Sequence, residues 1–160
     1  MTELTIGVPA PAFRIPAVTR SGETELSLAD YLGKSSVVLY FYPKDDTPGC
    51  TTESCSFRDM LPDFEAAGSA ILGISPDDQA SHIQFSEKYA LPFPLLADPD
   101  HAVAEAYGVW KEKNNYGKKY MGIERTTFVI DKEGKIAKIY PRVKVEDHAQ
   151  KVLEFVKTLQ

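Results

Sequence analysis

Hydrophobic positions in this chain fall into short unbroken runs, separated by stretches in which apolar residues return every three or four positions. The run 36–42, SVVLYFY, is rich in β-branched and aromatic residues and predicts a strand buried on both faces, ended by Pro43. Upstream, Ser27 to Asp30 is a helix-start signal and Gly33 a stop, so a short helix precedes that strand. After Pro48-Gly49, the residues Cys50, Ser54, Phe57, Leu61 and Phe64 share one helix face, and Pro62 is expected to kink or restart that helix. Residues 69–75, SAILGIS, predict a second buried strand, and 77–90 a helix with Ile83, Phe85 and Tyr89 as its apolar positions.

A short strand within 92–97 and a helix over about 100–107 follow. Strands at 125–131 and 135–140 around Lys132-Glu-Gly134 make an antiparallel hairpin. Residues 145–159 close the chain as an amphipathic helix with Val152, Leu153, Phe155, Val156 and Leu159 inward. Strands separated by helices, then a hairpin and a last helix, define an α/β domain of three layers with a central mixed β-sheet, read as a single domain over 1–160. The polar, lysine-rich stretch 111–122 reads as a solvated loop; the competing reading is a loop that walls the site and touches a protein partner.

Composition narrows the function classes. A net charge of −5, with basic residues scattered, argues against nucleic acid, which demands a dense basic surface. No apolar run is long enough to cross a bilayer and no signal segment is evident, so the expected location is cytoplasmic. Two cysteines are too few for a secreted disulfide scaffold.

Both cysteines lie in DDTPGCTTESC, residues 45–55. Positions five apart on a helix sit roughly 140° around the axis and about 8.6 Å apart. A disulfide needs Cα atoms within about 7 Å. The pair therefore stays reduced while the helix is wound and closes only if its start unwinds. Cys50 would occupy the first helical turn, where unpaired N–H groups and the helix dipole favour a thiolate. Asp45, Asp46 and Glu53 outnumber Lys44 nearby, so a cation from elsewhere must approach Cys50, or those acids must point away. Competing readings are a buried structural cysteine, a zinc site lacking a second ligand pair, and a C-x-x-C dithiol two residues too long. His82, His101 and His148 read as separate surface or capping histidines.

Pro43 to Cys50, PKDDTPGC, resembles the peroxiredoxin signature P-x-x-x-T-x-x-C in its strand-to-helix context. The likeness extends to a G-x-P-A-P-x-F opening at Gly7 to Phe13, GISPD at 73–77, FPLLAD at 93–98, YGVW at 107–110 and RTTFVID at 125–131. By these motifs the chain is similar to the bacterioferritin comigratory protein, or peroxiredoxin Q, group. The resemblance implies a thioredoxin-like fold with an N-terminal extension and thiol-based reduction of hydrogen peroxide or organic hydroperoxides, with no metal or organic cofactor. It makes Cys50 the peroxidatic cysteine, with Thr47 orienting sulfur and peroxide and Arg125 as the missing cation. It places Glu53 against that arginine, and Pro43, Pro48 and Gly49 around the pocket. It further implies that Cys55 condenses with a Cys50 sulfenic acid, and that a thioredoxin-type dithiol reopens the bond.

No cysteine follows Cys55, which favours an intramolecular bond in a monomer. The Gly-Gly-Leu-Gly segment tied to over-oxidation elsewhere in the family is missing, which implies resistance. A different class remains open here: a redox-sensing binding protein in which the same disulfide flips a helix.

Overall fold

The run that begins at Ser36 forms β3 (Ser36–Phe41), and all six of its residues are buried. Period-2 alternation splits its side chains between two cores: Val37, Leu39 and Phe41 pack on one face, Val38, Tyr40 and the following Tyr42 on the other. A strand covered on both faces needs no polar positions, which explains its unbroken hydrophobicity.

A computed structural model describes residues 4–159. Its strands are β1 (Arg14–Thr19), β2 (Gly22–Ser27), β3, β4 (Ser69–Ser75), β5 (Leu95–Ala97), β6 (Trp110–Asn115), β7 (Lys118–Ile123), β8 (Thr126–Ile130) and β9 (Ile136–Tyr140). Its helices are α1 (Pro48–Ala66), α2 (Gln79–Tyr89), α3 (Ala102–Ala106) and α4 (His148–Lys157). A seven-stranded sheet runs in the order β2-β1-β5-β4-β3-β8-β9. β3, β4 and β5 are mutually parallel, whereas β1, β2, β8 and β9 add antiparallel pairings, so the sheet is mixed as expected. Phe57 and Phe64 of α1, Phe85 of α2 and Val152, Leu153 and Val156 of α4 fill one core; Val103 of α3, Tyr107 just after it and Leu28 help fill the other.

The expected N-terminal extension includes a hairpin of β1 and β2 that widens the sheet, and its polar outer strand, GETELS, carries no strong strand signal. Several other expectations need correction. The predicted short helix is a single 3-10 turn, Leu28–Asp30, with the Ser27 N–H donating to the Asp30 carboxylate. α1 continues through Pro62 without restarting. Pro62 is exposed and removes one intrahelical bond, while buried Phe57 and Phe64 fix both halves of the helix to the sheet. Leu159 lies beyond the end of α4 and is 38% exposed. The stretch 111–122 is not a loop but most of the β6–β7 hairpin, turning at Tyr116-Gly117, both with positive φ (54° and 82°). Both faces of this hairpin are largely solvated, so no apolar alternation marks it.

Candidate active site

α1 begins directly after the loop that leaves β3. Thr47 is its N-cap residue in extended conformation, and Pro48 starts the helix, where the missing proline N–H costs no hydrogen bond. Gly49 and Cys50 are thereby the next two helical residues, in the turn whose N–H groups lack intrahelical acceptors. Cys50 is 1% exposed. Cys55 is half-buried further along the same wound helix, and both thiols are free.

The cation demanded by the local acidity arrives from β8's leading edge. Arg125 Nη2 donates to Cys50 Sγ at 3.2 Å, and Nη1 donates to Glu53 Oε1 at 2.6 Å. Gly49 makes room for this approach, because a Cβ there would lie 3.1 Å from Nη2. Glu53 is 1% exposed, and its second oxygen, Oε2, has no hydrogen-bond partner among the described residues. Burial raises the Glu53 carboxyl to about 7, with Arg125 working in the opposite direction. Burial acts against the Arg125 charge, but Glu53 and Cys50 outweigh it and hold the guanidinium above its ordinary value.

The remaining local acids turn away, so both of the alternatives that the charge count left open are realised. Asp46 pairs with Lys88 Nζ at 2.8 Å and accepts from the Tyr89 hydroxyl at 2.8 Å. Asp45 is buried and accepts from the Tyr42 hydroxyl (2.6 Å), the Ser81 hydroxyl (2.8 Å) and His82 Nδ1 (2.7 Å). The other His82 nitrogen meets the Leu96 carbonyl at 2.8 Å. The Asp45 N–H donates to Asp77 Oδ2 at 2.7 Å, which also accepts from the Ser75 hydroxyl. Asp45, Asp77 and His82 lie close enough to suggest a metal, yet these hydrogen bonds account for their arrangement. This network ties the active loop to α2 and the strand ends beneath it.

The Thr47 hydroxyl donates to the Lys44 carbonyl at 2.9 Å and does not cap the helix. Its hydrogen is therefore engaged, and its oxygen is left as an acceptor. Pro43 is half-buried and Pro48 exposed at the mouth. The structure thus gathers Thr47, Gly49, Cys50, Glu53 and Arg125 at one helix start.

Two of the three histidine expectations are overturned. His82 is fully buried in the Asp45 network, and His148 is 5% exposed with Nε2 2.8 Å from the Thr127 hydroxyl. Burial, then the Lys151 and Arg125 charges, hold His148 down to about 4. His101 does stand at the N-cap of α3, stacked on Trp110 with ring centroids 4.0 Å apart. Lys113 of β6 was not singled out from sequence. It is half-buried, and burial first and the Arg125 charge second lower its ammonium, with Cys50 acting in the opposite direction. The β6–β7 hairpin therefore lies within electrostatic reach of the site.

A cysteine at a helix start, held by an arginine from the strand next to the one that leads into that helix, is the arrangement of a thiol enzyme. Residues 6–139 match the AhpC/TSA family, and the chain belongs to it. More narrowly, it is 51% identical to Peroxiredoxin Bcp of Bacillus subtilis over 98% of this chain and 97% of that protein. A solved structure of Xanthomonas campestris bacterioferritin comigratory protein, described for its alkyl peroxide reduction activity, superposes with a TM-score of 0.86 at 43% identity, covering 98% of each chain. A cysteine variant of Xylella fastidiosa PrxQ gives a TM-score of 0.89 at 38% identity, covering 99% of this chain and 98% of that one. The chain is a peroxiredoxin of the Bcp, or peroxiredoxin Q, group: a thiol peroxidase with a thioredoxin-like fold. Among the described residues no helix is long and apolar enough to cross a membrane.

Proposed function

We propose that Cys50 reduces hydrogen peroxide and organic hydroperoxides and that Cys55 resolves the product within the same chain. The observation that carries this reading is the 3.2 Å contact of Arg125 with Cys50 Sγ, at the start of a helix that bears a second thiol five residues on. The Cys50 thiolate attacks one peroxide oxygen in line with the O–O bond. The S–O bond forms as the O–O bond breaks, and the electron pair leaves on the departing oxygen, which takes up a proton to become water or an alcohol. Arg125 stabilises charge on both sulfur and oxygen, with a rigid guanidinium whose position Glu53 fixes. The Thr47 oxygen accepts the peroxide hydrogen and sets its orientation. Half-buried Pro43 limits access of water from one side, and Gly49 keeps the guanidinium close.

The Cys50 sulfenic acid then condenses with the Cys55 thiol, releasing water and forming the disulfide. In the wound helix the sulfurs lie on different flanks, so this step requires the turns between them to open. A thioredoxin-type dithiol restores both thiols by exchange, itself becoming oxidised. A monomer suffices for this cycle, and a reducing cytoplasm would sustain it.

The test is peptide-mapped mass spectrometry of reduced protein after one equivalent of hydrogen peroxide. Loss of two hydrogens with a Cys50–Cys55 crosslink in one chain is expected. One added oxygen stable on Cys50, or a crosslink between chains, overturns intramolecular resolution.

A further inference from the structure

The residues between the two thiols are held to the rest of the protein by two tethers of different kinds. One is Glu53 on Arg125, which is part of the reacting site. The other is Ser54, whose hydroxyl lies 2.8 Å from the Tyr40 hydroxyl, with both side chains fully buried. Tyr40 is a rigid post for that contact. Its ring stacks on Phe57 at 4.8 Å and on Tyr42 at 5.4 Å, and a Cβ on Gly73 would fall 2.7 Å from its hydroxyl oxygen. No other position on the buried face of α1 carries a hydroxyl: the rest are Cys50, Glu53, Phe57 and Phe64.

We infer that the Ser54–Tyr40 hydrogen bond is a latch that keeps the second turn of α1 wound and sets the rate of disulfide closure. The inference rests on the intramolecular resolution proposed above. Phe57, fully buried between Tyr40, Phe64 and His148, anchors the helix just beyond Cys55, so the segment free to unwind ends near Ser54. Bringing the two sulfurs together draws residues 51–54 out of helical register and parts the Ser54 and Tyr40 hydroxyls. Tyr40, being part of β3, cannot follow, so its hydroxyl is left buried without a partner in the opened state. Opening is therefore opposed by a contact that touches none of the reacting atoms. Ser54 acts through the helix as a positioning residue, and its consequence is kinetic: a slower closure leaves the Cys50 sulfenic acid exposed to a second peroxide for longer. The latch thus works against the resistance to over-oxidation implied by the missing Gly-Gly-Leu-Gly segment.

The experiment is single-turnover rapid quench with thiol alkylation, following sulfenic acid and disulfide separately in the full-length protein, with Ser54→Ala, Tyr40→Phe and the double variant. Both single variants should leave the first attack unchanged and speed closure by about 3- to 10-fold, the equivalent of one net buried hydrogen bond. The double variant should add little, because both changes remove the same contact. The sulfinic fraction at high peroxide should fall in parallel, because closure competes with the second peroxide; gains that add independently in the double variant would point to lost packing and overturn the latch. An unchanged closure rate in Ser54→Ala overturns the latch, and means that only the first turn opens. A slowed first attack also overturns it, assigning Ser54 to the placement of Cys50. If the parent protein forms no Cys50–Cys55 bond at all, the intramolecular reading itself has failed, an outcome visible before any variant is compared.

Discussion

Two buried polar clusters flank the loop between β3 and α1, and they are built differently. Around Asp45 the named contacts close on one another: both carboxylate oxygens accept, both His82 nitrogens meet acceptors, and the loop N–H is taken by Asp77. Around Arg125 the set is left open: Glu53 Oε2 has no partner among the described residues, and the guanidinium side chain is 17% exposed over a reactive sulfur. A satisfied buried network rigidifies, because every alternative arrangement loses hydrogen bonds in a low-dielectric interior. An incomplete one keeps a charge available for a substrate and makes its own helix easier to open. The first cluster holds the loop still so that the second can react and rearrange.

The largest effect should come from removing the charge. Arg125→Ala is expected to lower the second-order rate of the first peroxide attack by about 10²- to 10³-fold in stopped-flow assays, the scale of losing one preorganised donor. A drop of less than about fivefold would mean that the helix start alone activates Cys50, and the contrast between clusters would lose its chemical half.

His82→Phe tests the structural half. It leaves the Asp45 carboxylate buried with fewer donors and should cost about 3 kcal/mol of stability in urea denaturation. A loss under about 1 kcal/mol would show that the loop does not depend on this network.

Proton linkage distinguishes two buried groups that both feel Arg125. Burial, then Lys151 and Arg125, hold folded His148 near 4, below its ordinary 6.5. The neutral form is favoured on folding, so the contribution is full above about 6.5 and is lost as pH falls through about 4. Glu53 runs the other way: raised from 4.5 to about 7, its contribution is full below 4.5 and is lost as pH rises through about 7. Urea midpoints against pH should therefore lose their acid-side slope in His148→Gln and their neutral-side slope in Glu53→Gln. Unchanged slopes would show that neither group is perturbed in the folded protein.

The smallest effect belongs to Gly49→Ala. Its Cβ, 3.1 Å from Arg125 Nη2, should push the guanidinium by a few tenths of an ångström and slow attack about two- to fivefold. No change would indicate that the arginine tolerates a looser seat than the contact suggests.

How much of this was legible depends on whether the signal was local. The strand at 36–42, the face of α1 and the position of Cys50 follow from periodicity and from Pro48-Gly49, which act over a few residues. The β6–β7 hairpin did not announce itself, because neither face is buried enough to impose alternation. His82 and His148 misled because a lone histidine carries no mark of what will pack around it. Asp45 and His82 are 37 residues apart, and Arg125 and Cys50 are 75 apart, so their contacts belong to the sheet order and not to either segment.

By itself the sequence determined that a thiol would sit at a helix start with a second thiol out of reach along the same helix, because helical rise and turn are fixed per residue. It also determined that either a cation had to approach the thiol or the neighbouring acids had to point away. Tertiary structure decided which partners met those demands. The antiparallel pairing of β8 with β3 delivers Arg125 to Cys50, α2 brings His82 beneath Asp45, and β3 sets Tyr40 against Ser54. The physical reason is that charge balance and helix geometry are local requirements, whereas the groups that satisfy them are brought in by strand pairing over long sequence distances.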